Sequence, residues 1–140
     1  MWVNLSGVNY WAVVVAALAT FFLGGAWYTA LAKPWQRFHG YSDEKVKEMQ
    51  AKRPPPMFFG GMIVSYVLLA WVTAVLFSTF GVDSAGEGGV AGLLIWLGPA
   101  VAIGFTGYIA SDKHIGAFAL DAAYQLVFLV MTGAILGGWK

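Results

Sequence analysis

The sequence predicts an all-α protein, an integral membrane bundle of four transmembrane helices with a short cytoplasmic helix between spans one and two. Three observations predict it. First, the 140 residues are 59% hydrophobic and only 11% charged, with a mean hydropathy of +0.70. A soluble domain carries about 25% charged residues, so this chain has too little charge to clothe a water-facing surface. Second, the apolar residues fall in four blocks, about 8–32, 57–80, 88–110 and 115–139. Each exceeds the roughly 20 residues that a helix, rising about 1.5 Å per residue, needs to cross a hydrocarbon core about 30 Å thick. Third, a backbone in lipid must bond to itself, which leaves helices or closed barrels. A run such as AVVVAALATFFLGG lacks the apolar–polar alternation of a barrel strand. Residues 1–140 therefore read as a single transmembrane domain.

No cleavable signal peptide is expected ahead of span one. No Lys or Arg precedes its apolar run, and no small-residue cleavage site falls short of a full span. Cysteine is absent, which excludes a disulfide framework and thiolate chemistry.

Span one is bracketed by aromatic side chains, Trp2, Tyr10 and Trp11 at one end and Trp27, Tyr28 and Trp35 at the other. Amphipathic rings prefer headgroup depth, so these read as interface anchors first, as does Trp139 at the end of span four. Pro34 is expected to halt the span, because it lacks an amide donor and disfavours helix in the residue before it.

The segment 33–56 holds six of the eight basic residues, Lys33, Arg37, Lys45, Lys47, Lys52 and Arg53. Lys113 lies between spans three and four, and only Lys140 falls on the opposite side. The positive-inside rule then puts both loops in the cytoplasm and both termini outside. Within the segment, Ser42 is a candidate N-cap with Asp43 and Glu44 in the electropositive first turn. A helix from about Asp43 to Ala51 follows, with Val46 and Met49 on one face. It reads as a solvated linker helix, with a membrane-surface helix as the alternative. Pro54-Pro55-Pro56 forms a stiff lead whose last proline suits the first turn of span two. Basic and acidic residues are interleaved here, so nucleic acid is not implied.

Trp71 and Trp96 lie near the middle of spans two and three, where an indole fills packing space and its N–H seeks a neighbouring carbonyl. Gly98-Pro99 predicts a kink in span three. Small residues four apart recur in Ala12/Ala16, Ala70/Ala74, Gly88/Gly92 and Gly133/Gly137, which suits close helix approach within one chain or between copies. Gly24, Tyr28, Ala30 and Lys33 recur in spacing as Gly104, Tyr108, Ala110 and Lys113, a faint echo of a parallel two-plus-two duplication.

Span four holds the feature that bears on function. Steps of three, four and seven residues join His114, Asp121, Gln125 and Thr132 on one helix face, with Tyr124 beside it. A carboxylate about 9 Å from the helix end is costly against lipid, so the seam should face other helices. The functional reading makes Asp121 a proton- or cation-handling group. The structural reading, which weighs more, makes it a hydrogen-bonding or ion-pair residue with Tyr28, Lys33 or Tyr108 as candidate partners. It weighs more because spans one to three offer no other charge to build a relay. Asp112, His114 and Asp121 form at most a loose cluster, so no metal site is assigned. No phosphate-cradling loop or nucleophile motif appears, and neither a catalytic residue nor a cofactor is implied.

Several blocks carry a resemblance. They are Gly24-Gly25-Ala26-Trp27-Tyr28-Thr29, Pro34-Trp35-x-Arg37, Gly40-Tyr41-Ser42-Asp43-Glu44, Trp96-Leu97-Gly98, Asp121-Ala122-Ala123-Tyr124-Gln125 and Met131-x-Gly133-Ala134-Ile135-Leu136-Gly137-x-Trp139. Over nearly the whole chain this resembles a bacterial family of small four-span membrane proteins catalogued as domain of unknown function 1761. Where that pattern reads Trp-Tyr-Ser-Pro, this chain has Trp27-Tyr28-Thr29-Ala30. Where it often carries Asn, this chain has Asp121, which favours a polar helix contact over an obligatory charge. The resemblance implies the architecture and no activity. The expectation is a helix-packing or interaction module in the lipid bilayer, as a homo-oligomer or beside a membrane protein partner. The alternative is a small transporter or channel whose pathway forms between protomers along the His114/Asp121/Gln125 seam. A lipid- or cofactor-binding membrane enzyme is the weaker third.

Overall fold

The computed structural model describes residues 2–140, and its regular structure is helical throughout. The elements are α1 (Tyr10–Ala30), α2 (Ala32–His39), α3 (Asp43–Lys52), α4 (Pro55–Phe80), α5 (Ala85–Ile95), a π-helical turn (Trp96–Ala100), α6 (Val101–Ala110) and α7 (Ile115–Gly138). Four continuous helices are long and apolar enough to cross a membrane: α1, α4, α5 to α6 through the π turn, and α7.

Local chemistry sets each boundary. Asn9 caps α1, its side chain accepting from the amides of Trp11 and Ala12. Pro55 and Pro56 both fit in the first turn of α4, where missing amide donors cost nothing. That helix therefore begins two residues before the apolar block. Gly81, at φ 73°, supplies the left-handed residue that ends it. Ser84 accepts from the Glu87 amide while the Glu87 carboxylate accepts from the Asp83 amide. This variant of a capping box starts α5 three residues ahead of its apolar block. Ser42 caps α3 by accepting from the Lys45 amide.

Pro34 does not halt span one. The chain breaks earlier, at Leu31, and Pro34 sits in the first turn of α2, where its missing N–H needs no partner. The 8-residue helix α2 is the helix that neither an apolar block nor a capping signal announced. At Pro99, where a kink is expected, the helix widens into the π turn, and Trp96 in that stretch donates its indole N–H to the Ala122 carbonyl on α7 at 2.8 Å.

The bundle centres on α7, which packs against α1, α4 and α5. Small residues set how closely. A Cβ placed on Gly88 would strike the Gly133 backbone, one on Gly92 the Leu129 backbone, and one on Gly137 the backbone of Ser84. The α5 and α7 main chains thus touch through a glycine seam on both helices. On the other side of α7, Ala12, Ala16, Ala70 and Ala74 are buried in one cluster with Val13, Phe77 and Leu136. That cluster draws α1 and α4 together at one end of the molecule.

At the same end Asn9 donates to the Trp139 carbonyl, the Asn4 amide to Thr79, and Lys140 lies 3.8 Å from Asp83. Both terminal segments and the α4–α5 turn therefore share one end. The opposite end carries α2, α3 and the α6–α7 turn, joined where Phe38 stacks on His114 at a centroid separation of 5.0 Å. Toward that end bulky rings replace the alanines. Phe21 meets Phe59 at 5.9 Å, and the first two turns of α4 lie exposed. The helices diverge there.

Candidate functional site

The divergence opens a cavity of about 920 Å³ between α1, α2, α3, α4 and α7. Its floor is the polar face of α7. Asp121 Oδ1 accepts from the Tyr28 hydroxyl at 2.6 Å, and Tyr28 stands in the last turn of α1. Tyr124 donates to the Thr20 carbonyl at 2.9 Å and lies 3.0 Å from the Tyr66 hydroxyl of α4. Gln125 lines the cavity beside them. Three spans thus meet through hydroxyl groups around one carboxylate.

Gly24 makes the arrangement possible. A Cβ there would lie 2.7 Å from the Tyr124 oxygen, so only a glycine lets the phenol reach across to α1. Tyr124 is buried and central, more so than a residue merely flanking the seam. One layer deeper, Thr20 and Thr132, each 1% exposed, pair at 3.2 Å. Thr20 also donates back to the Ala16 carbonyl, so the 3.2 Å contact draws on the Thr132 hydroxyl.

The walls are apolar, chiefly Phe58, Phe59, Met62 and Phe128. Trp35 closes one side, stacked on His39 at 4.2 Å. Tyr28, near the end of α1, and Trp35, on the α2 that packs against α7 after the break at Leu31, both line the cavity. The roof is α3. Val46, Met49 and Gln50 line the cavity from positions three and four apart, and Arg53 follows at the helix end. On its other faces Glu48 pairs with Lys52 at 2.7 Å and Lys45 at 3.7 Å, leaving the charges in water. Those two lysines hold the Glu48 carboxyl below its ordinary value, the hydrogen bond from Lys52 contributing most.

The remaining seam residues lie elsewhere. His114 caps α7, its Nδ1 accepting from the Gly116 amide at 2.9 Å, and it stacks on Phe38 away from Asp121. Tyr108 packs on Phe105 and Phe118. Lys33 is exposed on α2, and the ion pairs among the described residues are Lys45–Glu48, Lys52–Glu48 and Lys140–Asp83. No three metal-ligating side chains converge among the described residues. The sequence did not single out Tyr66 or Thr20, and it marked α3 with Val46 and Met49 on one face but not the pocket that this face covers. The polar residues that share a helix face with Tyr66 and Thr20, Thr73 seven residues beyond Tyr66 and Tyr28 eight beyond Thr20, are too sparse in apolar spans to mark a seam.

These features define a class: an all-helical protein of membrane-spanning composition, with a polar-floored pocket among the ends of three of its spans. The family model for a protein of unknown function, DUF1761, matches residues 11–137. The chain belongs to that family. No curated protein and no solved structure matches it.

Proposed function

We propose that this protein binds a small amphipathic molecule inside the membrane, in a pocket that a single chain builds. The observation that carries the reading is the shared lining: Asp121, Tyr124 and Gln125 open onto the same cavity as Met62 and Phe128. At about 920 Å³ it falls within the few hundred to roughly 1,000 Å³ of small-molecule sites, with apolar walls and few polar groups. The polar face of α7 then serves ligand contact within one protomer and needs no second copy to shield it. Transport, the alternative drawn from the seam, becomes passage through this pocket instead of a path between protomers.

The chain lacks cysteine, so a single engineered thiol reports on the pocket without background. A water-soluble maleimide should label Gln125→Cys readily and Thr132→Cys hardly at all. Equal resistance at both positions would overturn the reading.

Seven of the eight basic residues belong to α2, α3, the turn before α4 and the α6–α7 turn. We infer from this asymmetry that the pocket end faces the cytoplasm of a bacterial inner membrane and that both termini lie outside. Reagent labelling of terminal cysteines in intact cells tests the orientation.

A second reading, an interaction module that assembles as a homo-oligomer or with another membrane protein, is favoured by the α5–α6 span. Only its α7-facing side is covered, and Val90, Leu94, Leu97 and Ile103 point outward. Mass measurement in detergent separates it from a purely monomeric binder.

A further inference from the structure

We propose that the pocket takes a lipophilic organic cation, seated with its charge against Asp121 and its apolar body against the aromatic walls. The inference rests on the pocket reading above and names its ligand class. Asp121 is the one acidic residue of the lining. Its hydrogen bond comes from the neutral Tyr28 hydroxyl, and no Lys, Arg or His is within ion-pair distance of it among the described residues. A carboxylate inside a span is costly unless a counter-charge accompanies it. No basic side chain pairs with Asp121 among the described residues, so the matching charge comes with the occupant.

The surroundings select the kind of cation. Trp35, Phe58, Phe59 and Phe128 bring ring faces and edges to the cavity, and Tyr66 and Tyr124 add two more rings near the floor. Aromatic faces attract desolvated organic cations through their quadrupole. A bare metal ion would need several oxygen ligands, whereas a single carboxylate with no metal-ligating cluster around it suits a bulky ammonium or phosphonium group. Arg53 is the one basic residue of the lining. It is exposed at the end of α3, where solvent and salt screen its charge. Asp121, half-buried and two turns into α7, is screened far less. Of the two lining charges, the carboxylate at the floor is therefore the less screened.

Two probes of one shape and opposite charge test this, tetraphenylphosphonium and tetraphenylborate. Each is added to the full-length Gln125→Cys protein, and the maleimide labelling rate is measured. The phosphonium should slow labelling about tenfold at saturation while the borate leaves it unchanged, and Asp121→Asn in the same background should remove the protection. Protection by the borate, or phosphonium protection that survives Asp121→Asn, would overturn the proposal. So would a thiol that reacts at full rate in the presence of either ion, although the pocket reading would then stand. A thiol that never reacts fails the pocket itself. Where Asp121→Asn does not fold, the comparison of the two ions in Gln125→Cys decides alone.

Discussion

Tyr28 on the first span donates its phenolic hydrogen to Asp121 on the last, across 2.6 Å, and so ties α1 to α7 at the floor of the pocket. Interhelical hydrogen bonds in membrane proteins average only ~0.6 kcal/mol, while bonds to charged acceptors reach about 1.5–3 kcal/mol in general. Tyr28→Phe should therefore destabilise the protein by about 1–2 kcal/mol in a denaturant titration from detergent. Asp121→Asn keeps an acceptor for Tyr28 and should cost less than Asp121→Leu, which keeps none. The reverse order would show that the carboxyl group has no structural role.

The glycine seam gives a sharper contrast. Gly92→Ala drives a methyl group into the Leu129 backbone, which cannot give way as a flexible side chain would. Overpacking of this kind costs about 1–3 kcal/mol, and the value here should lie at the upper end. Gly107→Ala, on α6 with nothing within 4 Å of the new Cβ, should instead stabilise by about 0.5–1 kcal/mol through helix propensity. Melting temperatures of the two variants check both signs.

Tyr124 ties α7 to α1 and α4 at once, to the Thr20 carbonyl and the Tyr66 hydroxyl. Tyr124→Phe should loosen the floor more than Tyr66→Phe, which leaves the bond to Thr20 intact. The readout is the rate of maleimide labelling at Thr132→Cys beneath the floor, faster in the first double variant than in the second.

The roof should respond to acid. Lys52 and Lys45 depress the Glu48 carboxyl from its ordinary 4.5. A group depressed in the folded state contributes stability that is complete above its unfolded value and fades as pH falls through the folded one. Protection of α3 amides from hydrogen exchange should hold constant above pH 4.5 and weaken below it. Glu48→Gln should remove that dependence. Glu48 is fully exposed and the pairs are screened, so the effect should shrink with added salt.

Much of this architecture is legible in the sequence alone. Span length and hydropathy marked the four long helices, and Ser42 with the acids behind it marked α3. Periodicity put Asp121, Gln125 and Thr132 on one face of span four. What stayed hidden depended on geometry between elements. The helix α2 escaped notice because Pro34 reads as a stop, although a proline in a first turn stops nothing. The contact of Tyr66 had no local signal, since its partner lies 58 residues away. The cavity itself follows from alanines closing α1 on α4 at one end and phenylalanines spreading them at the other. That gradient is visible in the sequence only once the helix pairing is known.

The central claim is that one chain, alone, turns the polar face of α7 toward a solvent-reachable pocket. A cysteine scan along α7 on detergent-solubilised protein of verified single-chain mass tests it most directly. The account predicts rapid maleimide labelling at positions 121 and 125, with slow labelling at 122, 129 and 132. Uniform protection along the helix in the monomer, or reactivity at 121 and 125 that arises only in an oligomer, would contradict it.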